Sequence, residues 1–219
     1  MIKKLKIKLS RENVSFDPSQ FNDPVATKTE WTPAKRGGAG FKTHNLVQVN
    51  MNRMKFTSSL GAKIFYSIFL IAGLGIMFSF TFQQTDQRNL DFTFENFFPI
   101  LFGFIFAAIG GSLLYFGTKP IVFEKSNGYF WKGRKNPETV YNINEIKDCV
   151  KLKDIHALQI ISEFVRSSKS SYYSYELNLV LNDASRINVI DHGNLKKIRK
   201  DALKLSQFLD KPLWDATSN

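Results

Sequence analysis

One cysteine, Cys149, is the only thiol in this chain of 219 residues, so no disulfide forms within it and no zinc site can draw on two thiolates. That usage fits a reducing compartment. Histidine is scarce as well: His44, His156 and His192 are the only three, and none has a second metal ligand at helical or hairpin spacing. No serine stands in a nucleophile elbow, and the carboxylates are scattered, without an apolar pocket to raise a pKa. No metal, no cofactor and no catalytic residue are expected. The basic start, Met1 to Leu9, lacks the apolar run of a cleavable signal.

The stretch from Ala34 to Thr43 has glycines, a lysine and a threonine, but not the order of a phosphate-binding loop. That loop needs Gly-Lys-Ser/Thr in succession, and here Phe41 separates Gly40 from Lys42. Residues 44–51 read as a strand, with Val47, Val49 and Met51 on one side, not as the helix whose N-terminus would hold phosphate. No later apolar run ends in an aspartate for magnesium. Nucleotide is therefore not an expected ligand. Two readings stay open: a flexible basic turn anchored by Trp31 and Phe41, or a docking loop in which Trp31, Lys35, Arg36 and Phe41 meet a partner.

Charge is missing from two long runs, Ile64–Phe82 and Phe97–Phe116. Each is long enough to cross a hydrocarbon core of roughly 30 Å at about 1.5 Å per residue. A core helix of a soluble protein keeps a polar stripe, and these keep none. Thirteen of the 21 phenylalanines lie between Ile64 and Phe116. Neither run holds an ionisable group, which argues against a pump or secondary transporter. Asn96 is placed to cap the second helix, with Pro99 in its first turn. Gly103, Ala107 and Gly111 recur every four residues and form a smooth stripe for another backbone, either the first span at Ala72 or Gly73 or a second subunit.

Basic residues outnumber acidic ones by 30 to 19, for a formal charge of +11. Such an excess suits nucleic acid, an anionic membrane or an acidic partner. Its distribution selects among them. Twelve Lys or Arg precede Ile64, and Lys119, Lys125, Lys132, Arg134 and Lys135 follow Phe116, while the link Gln83–Asn96 holds only Arg88 against Asp86, Asp91 and Glu95. Basic loops stay on the cytoplasmic side, so both termini are expected in the cytoplasm of a multi-pass inner (plasma) membrane protein. Nucleic acid is the disfavoured partner, because this rule already uses much of the charge.

The chain divides into a polar, basic cytoplasmic arm (1–62), a transmembrane hairpin (63–117, spans about 64–82 and 97–116, external loop 83–96) and a cytoplasmic domain (118–219). In the last, runs of strand length begin at Pro120, Gly128, Thr139, Ile146, His156, Ser171 and Arg186. Asn127-Gly128 marks a hairpin turn. Along Ser171–Asn182, Tyr173, Tyr175, Leu177, Leu179 and Leu181 face one way, Glu176 and Asn178 the other. An amphipathic helix follows from about Leu195, capped by Asn194 and ended by Pro212, with Leu213 and Trp214 packing back.

This order, about seven antiparallel strands closed by one C-terminal helix, resembles the pleckstrin-homology-like (PH-like) fold, above all its small bacterial versions attached to membrane hairpins. The fold class expected is a membrane α-helical hairpin plus an α+β PH-like domain. The resemblance implies a phosphate or lipid-headgroup site at Lys125, Lys132 and Arg134, the positions comparable to the family's first-strand lysine and second-strand basic-x-Arg. The other reading of the three is as solvated cations beside an anionic leaflet. The function expected is binding or scaffolding: the domain engages membrane lipids or another membrane protein, as an assembly factor or accessory subunit. The alternative is a small homo-oligomeric channel or accessory transport subunit built by self-association.

Overall fold

The structure, a computed structural model, describes residues 16–86, 94–142, 145–146, 148–166 and 170–217. The expectations for the start of the chain, for Arg88 and Asp91 in the link and for the Asn96 side chain lie outside the described residues. The described chain opens with a 3-10 turn (Pro18–Phe21) and a single-turn helix, α1 (Pro24–Lys28). An aspartate starts each: Asp17 accepts the Ser19 N–H at 2.9 Å and Asp23 that of Val25 at 2.8 Å, ahead of a proline that has no N–H to lose.

Two strands follow, β1 (His44–Gln48) and β2 (Arg53–Ser58), and then the helical hairpin, α2 (Leu60–Asp86) and α3 (Phe94–Gly117). Both helices contain segments long and apolar enough to cross a membrane, Leu60–Phe82 and Phe97–Gly117, and almost none of that surface is buried within the protein. The helices touch along small residues. A Cβ on Gly73 would stand 2.3 Å from the Ala107 nitrogen, one on Gly103 2.8 Å from the Gly73 oxygen, and one on Gly110 2.2 Å from the Leu70 nitrogen. Backbones this close need glycine. Gly111 faces open space and Ala72 is exposed, so the contact runs through 103, 107 and 110. The i, i+4 reading drifts off a 3.6-residue helix, and the third contact comes at i+3. Pro99 lies inside α3, which begins at Phe94, earlier than a cap at Asn96 allows.

Beyond the hairpin come β3 (Ile121–Glu124), β4 (Tyr129–Lys132), β5 (Cys149–Lys151), β6 (Ile155–Arg166), β7 (Ser171–Leu181), β8 (Arg186–His192), α4 (Leu195–Leu209) and β9 (Leu213–Asp215). The first sheet has the order β1-β2-β3-β4-β5, all antiparallel, and the second β8-β7-β6-β9, where β9 joins β6 in parallel. Residues 44–58, expected within a separate arm, thus supply two of the first sheet's five strands: Arg53 pairs Glu124 and Phe56 pairs Ile121. The hairpin is an insertion between two adjacent strands. One residue, Ser59, joins β2 to α2, and three join α3 to β3.

The sheets enclose one core, closed by α4. Phe56, Phe123, Phe130, Ile155, Leu158, Ile160, Leu177 and Leu179 are fully buried there with Ile198, Ala202 and Leu205 of the helix. Apolar residues at 198, 202, 205 and 209 give α4 its buried stripe, and the Asn194 carboxamide accepts the Lys197 N–H at 3.0 Å to start it. Two expectations differ in detail. The β3–β4 turn spans Lys125 to Gly128, and only Gly128 takes a positive φ (73°). Pro137–Thr139 is a 3-10 turn and Val140 to Asn142 are irregular, because this segment lies over the outer side of the first sheet instead of extending it; Val140 packs there with Val122, Trp131 and Ile146.

Candidate functional site

The glycine-rich stretch is an ordered strap across the outer face of β6, β7 and β8. Glu176, buried in the middle of β7, accepts the N–H groups of Ala34 and Lys35, both at 2.8 Å. Glu163 accepts those of Gly37 and Gly38 at 3.1 and 3.2 Å. The amides that resemble a phosphate cradle are therefore already occupied by the protein's own carboxylates. Gly37 takes φ +79°, and a Cβ on Gly193 would stand 2.2 Å from the Gly40 carbonyl carbon, so backbone lies on backbone here. The strap shields a polar network: Gln159 and Asn178 are fully buried, the Asn178 amide donates to Glu176 at 3.1 Å, and Arg186 donates to the Thr32 carbonyl at 2.7 Å. Burying such groups costs ~2–7 kcal/mol each unless they are bonded; here the Glu30 carbonyl accepts from Gln159 at 3.1 Å, and Gln159, Asn178, Glu176 and Arg186 bond one another.

At the hairpin end the strap leads into the neck. Ser59 donates its N–H to the Thr43 carbonyl and its hydroxyl to the Lys42 carbonyl, both at 2.8 Å, and the same hydroxyl caps α2 by accepting the Ala62 N–H. The Ser58 hydroxyl donates to the Gly117 carbonyl at 2.5 Å. Arg134 closes α3: its guanidinium donates to the Tyr115 carbonyl at 3.0 Å and the Thr118 hydroxyl at 2.9 Å and covers the Tyr115 ring. A cation at a helix C-terminus also meets the negative end of the dipole.

Between neck, strap and sandwich lies a cavity of about 400 Å³. Tyr66, Phe116 and Gly117 of the hairpin form one wall; Lys35, Lys119, Lys132, His44, Asp148 and Asp191 supply its charge and polarity. The Lys132 ammonium lies 3.8 Å from the Asp148 carboxylate, and burial holds it below the usual lysine range despite that partner. Burial likewise raises the Asp191 carboxyl, against the hydrogen bond it accepts from Asn188 at 3.1 Å. His44 is pushed down to about 4 by burial, with Lys132 adding, and is neutral at pH 7. Three ammonium groups, two carboxylates and the apolar hairpin residues thus line one cavity.

The three cations expected together are apart. Lys132 lines the cavity, Arg134 is committed to α3, and Lys125 lies at the opposite end of the β3–β4 hairpin, its ammonium 4.7 Å over the Phe208 ring. The cross-strand pairing explains this, since Lys132 opposes Ile121 and not Lys125. The docking residues also part: Trp31 is internal, donating to the Ala26 carbonyl at 2.9 Å and packed between Phe16, Phe21 and Trp214; Lys35 lines the cavity; Arg36 and Phe41 are exposed. His44, Asp148 and Asp191 went unassigned in the sequence, where no spacing links them. Among the described residues no group of three His, Cys, Asp or Glu could hold a metal ion. Compared with known proteins, the chain matches no family model, no curated protein and no solved structure.

Proposed function

We propose that this chain is a two-span membrane protein whose PH-like cytoplasmic domain binds the headgroup of an anionic lipid in the cavity at its neck. Two sheets over one core, closed by a C-terminal helix, support the PH-like reading. The basic residues around the neck, Lys42, Lys63, Lys119, Arg134 and Lys135, support a cytoplasmic domain. The observation that carries the reading is the cavity itself: Lys35, Lys119 and Lys132 converge where α2 and α3 enter the sandwich. A lipid in the same leaflet reaches that depth without leaving the bilayer, so a weak site is filled by high local concentration. The strap, an internal part of the domain, is then a wall of the site and not a docking loop.

Native mass spectrometry of the full chain, purified from membranes in mild detergent, tests this. At about 1 kcal/mol per cation, replacing Lys35, Lys119 and Lys132 together by Gln weakens anionic-lipid retention on the order of 100-fold. Lys125→Gln leaves it unchanged. Millimolar inorganic phosphate displaces the lipid only if the phosphate group alone is recognised. Equal retention by the triple variant rejects the cavity as the site. The channel alternative has less to stand on, since Gly103 and Ala107 are already packed against α2 and leave only Gly111 of the stripe facing outward.

A further inference from the structure

The end of the β6–β7 ribbon carries surface that the cavity does not use. β8 accompanies β7 only as far as the Tyr175–His192 pair, and β9 meets β6 only from Leu158 to Ile160. Beyond them the ribbon continues as two strands through Phe164–Tyr173 to Arg166–Ser171. A two-stranded ribbon is marginal in water unless a face is covered. One face of this one is: the Tyr172 ring lies 3.0 Å from where a Cβ on Gly40 would stand, and its hydroxyl donates to the Gly38 carbonyl at 2.9 Å. The other face presents Phe164 and Tyr173, directly opposed, their rings 5.0 Å apart and each about half exposed.

The position of this ribbon end says what covers it. Gly40, which carries Tyr172, is two residues from Lys42, or at most about 8 Å of chain. The Lys42 carbonyl accepts the Ser59 hydroxyl at 2.8 Å, and Leu60 opens the apolar stretch of α2. Phe41, also half exposed, stands between them. Along the chain, exposed Phe41 and the cation Lys42 thus connect the Gly40 contact on the ribbon to the start of α2, and Arg166 is exposed at the ribbon end. Aromatic rings interleaved with cations at the depth where a span leaves the hydrocarbon are what a headgroup layer accommodates.

We infer that the ribbon end is a second membrane contact: Phe164, Tyr173 and Phe41 sit in the headgroup layer of the leaflet that α2 leaves, and Arg166 meets lipid phosphates. This rests on the reading of α2 and α3 as spans. With two contacts the sandwich cannot pivot on its neck, and the cavity stays at headgroup depth.

Spin labels in the full chain, reconstituted in phosphatidylethanolamine–phosphatidylglycerol vesicles, test it. With Cys149 replaced by Ala, single cysteines are placed at Phe164, Tyr173, Leu74 in α2 and Leu203 on the exposed side of α4. Collision with oxygen, which concentrates in lipid, is compared with collision with a water-soluble nickel chelate. Labels at Phe164 and Tyr173 are expected to give an oxygen-to-nickel ratio several-fold above Leu203 and below Leu74. If both match Leu203 while Leu74 reads as hydrocarbon, the ribbon contact is wrong and the spans stand. If both exclude both reagents, another part of the protein covers the ribbon, and the contact is again wrong. If Leu74 itself reads as aqueous, the spans fail and the contact fails with them.

Discussion

Phenylalanine has opposite fates in the two halves of this molecule. In the sandwich, Phe56, Phe123 and Phe130 have no exposed surface. In the hairpin, Phe78, Phe82, Phe104 and Phe116 are each more than half exposed, and at most 11% of either apolar stretch is buried. One half turns its apolar groups in and the other turns them out. Burial contributes about 25 cal/mol per Å², so a domain that builds a full core in one half does not leave the other half bare to water. The difference teaches that the two halves, joined at Ser59 and at residues 118–120, dispose of their apolar groups in opposite ways, as a water-facing sandwich and a lipid-facing hairpin would.

The largest effect that can break this contrast comes from truncating one phenylalanine in each half. Phe56→Ala should cost the sandwich about 3–5 kcal/mol, from lost transfer energy and a cavity. Phe78→Ala should leave it within about 0.5 kcal/mol. Urea unfolding of the full chain in lipid nanodiscs, followed by the fluorescence of buried Trp131, measures both. Equal costs would mean that the hairpin is a second core and that the two-solvent picture is wrong.

Next comes a charge on the outer hairpin surface. Ile71 is exposed in α2. If that surface meets lipid, Ile71→Arg disfavours insertion by roughly 2.5–3.5 kcal/mol. If it meets water, the change is worth less than about 0.5 kcal/mol. The fraction of chain resisting alkali extraction from membranes reads the difference.

Acid should also separate the halves, because the histidines sit in the sandwich, His44 on β1, His156 on β6 and His192 on β8. Burial pushes His192 and His44 each down to about 4 from the ordinary 6.5. The His192 Nδ1 accepts the Asn194 N–H at 2.8 Å, which requires a neutral ring. The unfolded chain takes up protons below pH 6.5 that the fold refuses until about pH 4. Stability from these residues is thus complete above pH 6.5 and is lost as pH falls toward 4. His192→Gln should flatten that part of the urea-midpoint profile in proportion, and a profile of unchanged slope would remove His192 as its cause.

Legibility from the sequence divides along the same line. The hairpin, β6, β7 and α4 can be read because each declares itself within its own residues, by run length, by parity or by a 3.6-residue stripe. The pairing of β2 with β3 cannot, because 62 residues separate Ser58 from Ile121 and nothing local marks them as neighbours. Parity correctly puts Glu176 and Asn178 on the face away from the core. It does not reveal that the strap buries that face, since the donors come from Ala34 and Lys35, more than 140 residues upstream. The cavity fails to show for the same reason. Its cations lie on the strap, the neck and β4, and become one site only after the sheet closes around the inserted hairpin.

The smallest effect tests the joint itself. Arg134 belongs to the sandwich side of the neck by sequence and to α3 by its bonds, to Tyr115 and Thr118. Its guanidinium is exposed, so each bond is worth no more than about 1 kcal/mol against competition from water. Arg134→Ala should therefore leave the urea midpoint of the sandwich unchanged and loosen only the last turn of α3. Amide exchange at Thr118, whose N–H bonds the Leu114 carbonyl, should quicken about fivefold, the factor that roughly 1 kcal/mol of local opening implies. Arg134→Lys should recover only part of this, because an ammonium cannot hold the carbonyl and the hydroxyl with a planar fork while covering the ring. If instead Arg134→Ala speeds exchange throughout β6 and β7, the neck transmits stability between the halves, and they form one cooperative unit.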